Sequence, residues 1–224
     1  MSKNVIFVNS INQDFFKLVK PSFENYCKRY NIDLIINTSE KVKHGVRMHV
    51  KGMFERFQIY DLLDTYDRVG YIDSDIYIKN NSPNIFDDVP VNKLGIYCES
   101  CDINRDDFIK HMKYNFKLND DIRLYYNSGV MIASQMHKSI FNVSYLQKFF
   151  NRSGIIAGGW PDQDYINYHI YHREVRVYDI GYKYNYLHSE LKDSRLQSAY
   201  FVHFAGIPNR RQYISDFLSK YNYN

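Results

Sequence analysis

Short runs of consecutive apolar residues alternate along this chain with longer segments in which apolar positions recur every three or four residues. Val5 to Val8, between a polar start and Asn9-Ser10, reads as the first strand of a buried parallel sheet. Phe15, Phe16, Val19, Phe23, Tyr26, Cys27 and Tyr30 then predict a helix, with Pro21 expected to kink or restart it. Ile32 to Ile36 gives a second strand. Met53, Phe57, Tyr60 and Asp64, with Phe54, Leu62 and Leu63 beside them, predict a second amphipathic helix just ahead of the apolar run that starts at Arg68. The order so far is β-α-β-α-β. Further on, Leu94–Tyr97, Gly129–Ala133, Val175–Ile180 and Tyr200–Phe204 have strand character, whereas Val143–Phe150, Asp162–Tyr171 and a C-terminal stretch over about 209–222 read as helices.

This alternation predicts an α/β fold, a mainly parallel sheet flanked by helices, and residues 1–224 are expected to form one domain because no linker, repeat or low-complexity tract divides them. In such sheets ligands bind beyond the carboxyl ends of the strands.

At one such end the run Val69-Gly70-Tyr71-Ile72 delivers Asp73-Ser74-Asp75, two carboxylates two residues apart. In an extended or tightly turned backbone, side chains at i and i+2 point the same way, so Asp73 and Asp75 can share one divalent cation. Hard carboxylate oxygens suit Mg²⁺ or Mn²⁺, ions that commonly complete their shell with water and substrate phosphate. The plainer reading of the pair is a solvated turn.

Three more clusters follow: Tyr126-Asn127-Ser128-Gly129-Val130-Met131, Pro161-Asp162-Gln163-Asp164 and Val202-His203-Phe204-Ala205-Gly206. In this order and at these intervals the four resemble the nucleotide-sugar glycosyltransferases of the GT-A fold, most closely family 8, which includes glycogenin and the lipopolysaccharide galactosyltransferases. The resemblance runs from Val5 to about Arg211. It implies a single GT-A domain that moves a hexose from a UDP-sugar, UDP-glucose or UDP-galactose first, to a glycan, lipid-linked or protein acceptor with retention of configuration.

The resemblance also implies roles. Asp73, Asp75 and His203 would bind Mn²⁺, with Mg²⁺ as the alternative. Asn9, Ser10, Arg56, Ser74, Asn127, Ser128 and Gly206 would contact the donor, and Asp162, Gln163 and Asn127 would border the reacting carbon. The family's usual Lys-Pro-Trp is replaced here by Ile207-Pro208-Asn209-Arg210-Arg211, so Arg210 or Arg211 stands in for the lysine that holds the diphosphate. Taken alone, His203 reads as a core or surface histidine, Asn127 and Ser128 as a turn, Asp162 as a helix N-cap, and Trp160 after Gly158-Gly159 as packing rather than a platform for an acceptor sugar.

A net charge of +4, with no block of like charges, gives no reason to expect a nucleic-acid partner. No stretch approaches a membrane span and the first residues lack a signal peptide's apolar segment, so a cytoplasmic location is the expectation. An odd cysteine count fits a reducing compartment, and Cys98-x-x-Cys101 reads as coincidence. Two other activities share parts of the pattern. A haloacid dehalogenase-type phosphohydrolase also carries Asp-x-Asp after an apolar strand, but with Thr or Val where Tyr77 stands here; an inactive nucleotide-sugar binding module is compatible with the missing Lys-Pro-Trp.

Overall fold

The apolar runs are buried on both faces of a six-stranded sheet. The computed structural model describes residues 2–43, 52–119, 121–146 and 160–221. In chain order these form β1 (Asn4–Asn9), α1 (Phe16–Tyr30), β2 (Asp33–Asn37), a 3₁₀ segment (Met53–Gln58) running into α2 (Ile59–Leu62), β3 (Arg68–Ile72), β4 (Ile76–Ile78), α3 (Ile85–Asp88), β5 (Leu94–Cys98), α4 (Asp106–Phe116), β6 (Tyr126–Ser134), α5 (Pro161–His172), β7 (Val177–Asp179), β8 (Tyr186–Leu187), β9 (Phe201–His203) and α6 (Arg210–Lys220). Among these residues no helix is long and apolar enough to cross a membrane.

The sheet has the order β2-β1-β3-β6-β5-β7. Pairings β1/β2, β1/β3 and β5/β7 are parallel, while β6 runs antiparallel to both of its neighbours. Alternation along each strand splits the core in two. Ile6, Val8, Ile72, Val130 and Ile132 pack with α1 and a second, three-stranded sheet, whereas Val5, Phe7, Val69, Tyr71, Met131 and Ala133 pack with Phe57 and the Tyr165–Ile166 face of α5. Gly70 keeps this packing close, since a Cβ there would lie 2.9 Å from Ile6 Cδ1 and 3.0 Å from Ile132 Cδ1.

Three local expectations need correcting. Helix α1 is continuous through Pro21, which forfeits only one helical hydrogen bond while Val19, Phe23 and Tyr26 anchor the helix in the core. Beside the proline, the Ser22 hydroxyl donates to the Val19 carbonyl at 2.7 Å and accepts from Ile78 N–H at 3.1 Å, tying α1 to β4. The second helix is mostly 3₁₀, with only Ile59–Leu62 α-helical. Cys98 and Cys101 are joined by a disulfide: the 3₁₀ turn Glu99–Cys101 brings their Cα atoms within 5.5 Å, while buried Cys27 stays free. Most of the helix expected over Val143–Phe150 lies outside the described residues, and Val143–Tyr145 forms a 3₁₀ turn.

This topology brings the four sequence clusters to one edge. Strand β3 ends there, antiparallel β6 begins there, and Asp73 N–H bonds the Gly129 carbonyl at 2.8 Å. The small sheet, ordered β4-β9-β8, sets His203 opposite Ile76, one residue past Asp75, and Phe204 N–H bonds the Asp75 carbonyl at 3.0 Å.

Candidate active site

Asp73, Ser74 and Asp75 occupy a tight turn between β3 and β4, closed by Ile76 N–H on the Asp73 carbonyl at 3.2 Å. The turn sends both carboxylates into a cavity of about 440 Å³. Each carboxylate gives one oxygen to an arginine and turns the other toward His203. Asp73 Oδ1 accepts from Arg56 at 3.2 Å and from the Tyr71 hydroxyl at 2.7 Å, and Asp75 Oδ2 lies 3.0 Å from Arg210. The remaining oxygens, Asp73 Oδ2 and Asp75 Oδ1, stand 3.7 and 3.2 Å from His203 Nε2.

One donor atom from each of Asp73, Asp75 and His203 thus falls within 4.8 Å of the others, two carboxylate oxygens and one imidazole nitrogen able to hold a divalent cation whose remaining positions would fall to water and substrate oxygens. Burial pushes the His203 imidazole toward neutrality, but Asp75 and Asp73 outweigh it and hold its pKa above the usual histidine range. Asp75 is shifted the other way: burial raises its pKa, yet His203 and Arg210 bring it below the usual carboxylate range.

Glycine 129 makes room for this arrangement. A Cβ there would lie 2.4 Å from His203 Cε1, so the imidazole packs directly on the β6 backbone. Gly129→Ala is expected to displace the ring, costing about 1–3 kcal/mol of stability by overpacking and at least about tenfold in divalent-metal affinity. Thermal denaturation and Mn²⁺ titration check the two effects.

Helix α5 forms the opposite wall. Pro161 occupies its first turn, where a missing N–H costs nothing, and Trp160 takes the N-cap position. The side chain of Asn167 clamps the helix to β6, accepting from Tyr126 N–H at 2.9 Å and donating to the Tyr126 carbonyl at 2.8 Å. The β5/β6 register shifts between Ile96 and Tyr97, and Gln163 Oε1 accepts Ser128 N–H there at 2.9 Å. Asp162, only 2% exposed, pairs with Arg56 Nε at 2.9 Å. Burial raises the Asp162 pKa, with Arg56 opposing.

These features sit on an architecture shared with solved structures. The chain is similar to a glycosyltransferase involved in the glycosylation of the major capsid of PBCV-1, at 14% identity and a TM-score of 0.63, covering 95% of this chain and 99% of that one. It is similar to the galactosyltransferase LgtC, solved with donor and acceptor sugar analogs, at 12% identity and a TM-score of 0.65, covering 97% and 95%. The bifunctional glycosyltransferase WbbM matches at 16% identity and a TM-score of 0.65, over 92% of this chain and 46% of WbbM. The chain has the GT-A fold. At these identities the likeness is one of architecture, and no protein-family profile or curated protein sequence matches the chain.

Within the GT-A fold, most residues singled out from the sequence meet at one cavity. Asn9, Arg56, Asp73, Ser74, Asp75, Asn127, Ser128, Asp162, Gln163, His203, Gly206 and Arg210 all line it. Ser10 does not: its N–H and hydroxyl both go to the Asn37 carbonyl, closing the end of β1 against β2. Asn9 reaches the wall, but its amide donates to the Gly52 carbonyl at 2.7 Å. Arg211 turns away to Asp14, so of the two arginines it is Arg210 that reaches Asp75. Gly206, at φ +70°, makes the turn from β9 toward α6. Asp162 lies in the first turn of α5 and does not cap it. Trp160 is 51% exposed on the cavity rim, and Gly158-Gly159 fall outside the described residues.

Four residues at the site escaped the sequence reading. Tyr71 sits two positions before Asp73, so strand alternation alone puts them on one side. Glu99 follows β5 as Asp73 follows β3, and the same rule of acids at strand ends finds it. It lies buried beside Arg105, Asn127 and Gln163, and burial raises its pKa against the pull of Arg105. Tyr125 and Asn185 carry no local signal.

Asp164 lies just behind the cavity wall, 2% exposed, and accepts from the Tyr125 hydroxyl at 2.7 Å. Burial raises its pKa to about 6, with the Tyr125 bond opposing. A carboxyl with a raised pKa holds its proton longer in the folded state, so its contribution to stability falls as pH rises from about 4 to about 6. Asp164→Asn should remove that loss, gaining on the order of 3 kcal/mol relative to wild type between pH 4 and pH 8. Paired denaturant titrations at the two pH values measure it.

Proposed function

We propose that the protein is a metal-dependent glycosyltransferase that moves a hexose from a UDP-sugar to a glycan, lipid-linked or protein acceptor, with retention of anomeric configuration. The observation that carries this reading is the convergence of Asp73 Oδ2, Asp75 Oδ1 and His203 Nε2 on the cavity of a GT-A fold. Asp73, Asp75 and His203 would hold Mn²⁺, or Mg²⁺, which when bound supplies Lewis-acid stabilisation of the pyrophosphate leaving group. The imidazole favours Mn²⁺ of the two.

The chain's own groups then divide the work. Arg210, at the N-terminus of α6, and Arg56 supply positive charge beside the carboxylates, where a diphosphate is to be received. Asn127, Asp162 and Gln163 line the cavity beyond them and would hydrogen-bond the donor sugar and orient its reacting carbon. In the transfer, the acceptor oxygen bonds to the anomeric carbon as the carbon–oxygen bond to phosphate breaks. The acceptor proton passes to the departing phosphate, which lies on the face of attack and so leaves configuration retained. UDP-glucose and UDP-galactose are the first donors to test. LgtC, with a similar fold, is described with donor and acceptor sugar analogs, which supports a carbohydrate acceptor.

Incubation with Mn²⁺ and a panel of labelled UDP-sugars is expected to release UDP by transfer or slow hydrolysis. Donor binding without turnover on any acceptor would instead indicate a binding module. Turnover of a generic phosphate ester, lost in Asp73→Asn, would indicate a phosphohydrolase, a reading disfavoured by the fold and by Tyr77, which is buried in β4.

A further inference from the structure

Asparagine 185 is completely buried between a 3₁₀ turn (Tyr182–Tyr184) and β8, and it bridges two site residues that come from different sheets. Its Oδ1 lies 2.8 Å from His203 Nδ1, and its Nδ2 donates to Asn127 Oδ1 at 2.8 Å. The direction of this chain of bonds follows from one group that can only donate. Gly129 N–H reaches Asn127 Oδ1 at 2.9 Å, which makes that oxygen an acceptor. The Asn185 atom facing the same oxygen must therefore be its amide nitrogen, and the atom facing His203 must be its carbonyl oxygen. An amide oxygen can only accept, so His203 Nδ1 carries a proton, and Nε2, beside Asp73 and Asp75, is the nitrogen left to give its lone pair to a bound cation.

The same bonds fix Asn127. With Oδ1 occupied by two donors, its Nδ2 has to face the other way, toward Glu99 Oε2 at 3.5 Å on the cavity side. We propose that Asn185 is a shared positioning residue, which sets the His203 tautomer for metal binding and aims the Asn127 amide N–H into the donor cavity. This inference rests on the metal-dependent reading of the site. It couples the two halves of that site: a group that touches neither metal nor substrate determines the polarity of a residue in each. Gly129, by admitting the imidazole face, sets the plane of the ring, and Asn185 sets which nitrogen is available.

Mn²⁺ titration followed by electron paramagnetic resonance, on wild type, Asn185→Ala and Asn185→Asp, tests the idea without relying on turnover. Asn185→Ala is expected to lose about 10–100-fold in Mn²⁺ affinity, the usual cost of removing a group that orients a metal-binding histidine. Asn185→Asp keeps an acceptor against Nδ1–H and is expected to bind Mn²⁺ as tightly as wild type or more so. Equal losses in both variants with intact circular dichroism, or no loss in Asn185→Ala, would overturn the proposal and leave the metal-site reading standing. A wild type that binds no Mn²⁺, with or without UDP, would overturn both. The wild type alone gives a second check that no folding defect can obscure: in ¹⁵N-imidazole spectra of the Mg²⁺-loaded protein, the proton of His203 is expected on Nδ1. A proton on Nε2 would overturn the assignment.

Discussion

Replacing Arg56 with alanine is expected to destabilise the protein by about 3–5 kcal/mol and to abolish donor binding, the largest combined effect of any single change at this site. Arg56 is a buried cation between two carboxylates, with Nε 2.9 Å from Asp162 and a terminal nitrogen 3.2 Å from Asp73. A third nitrogen contact reaches the Ser128 carbonyl at 3.1 Å, and the guanidinium lies 4.7 Å from the centre of the Tyr71 ring. Burial pulls its pKa down, but Asp162, Tyr71 and Asp73 more than compensate, so it stays charged. Without it, Asp162 is left as an unpaired buried carboxylate, and desolvation of that charge dominates the loss. Arg56→Lys restores charge without the planar fork and should recover only part of the stability. Denaturant unfolding measures both variants; a loss below about 1 kcal/mol in the alanine variant would place Arg56 among weakly coupled surface pairs.

The second large effect is kinetic. Asp162→Asn is expected to lower turnover about 100-fold or more while changing UDP affinity little, because a buried carboxylate on the cavity wall proposed to face the donor sugar would act on the charge that develops there rather than on the nucleotide. The amide still fills the space beside Arg56, so the wall keeps its shape. Steady-state rates and calorimetric affinities for the same preparation separate the two effects. Parallel losses in rate and affinity would make Asp162 a donor-binding residue instead.

The parts of the fold that were legible in the sequence are those with local causes. Val5–Val8 and Arg68–Ile72 announce buried strands because each residue packs against one of two cores, and the alternation is written in consecutive positions. Asp73 and Asp75 stand out because two carboxylates at i and i+2 directly follow such an apolar run. The small sheet was only partly legible: Phe201–His203 falls within the strand expected over Tyr200–Phe204, whereas Tyr186–Leu187 is two residues long, too short for any periodicity to register, and exists only because β8 pairs with β9. Pro21 misled because its local cost is real, yet Val19, Phe23 and Tyr26 hold α1 together across it. The Cys98–Cys101 bond depends on a 3₁₀ turn that the spacing permits but does not require.

At the site, the resemblance supplied the residues that face the cavity, and most of them meet there. It did not supply the groups that hold those residues in place. Asn167 pins α5 to β6, Gly129 admits the His203 ring, and Asn185 joins His203 to Asn127. Their importance arises from contacts between segments far apart in sequence: Gly129 lies within one of the four clusters, but its contact with His203 is not written there, and no local pattern of residue types marks Asn167 or Asn185.

If a divalent cation held by Asp73, Asp75 and His203 recruits a uridine diphosphate donor to this cavity, as proposed, nucleotide binding depends on both the metal and its ligands. Calorimetric titration with UDP, with and without Mn²⁺, on wild type and Asp73→Ala tests it most directly. Mn²⁺-dependent UDP binding is expected of the wild type and none of Asp73→Ala, with both proteins unfolding at similar denaturant concentration, since Asp73 lies at the cavity with its side chain 24% exposed. UDP binding that is indifferent to Mn²⁺, or unchanged by loss of Asp73, would contradict it.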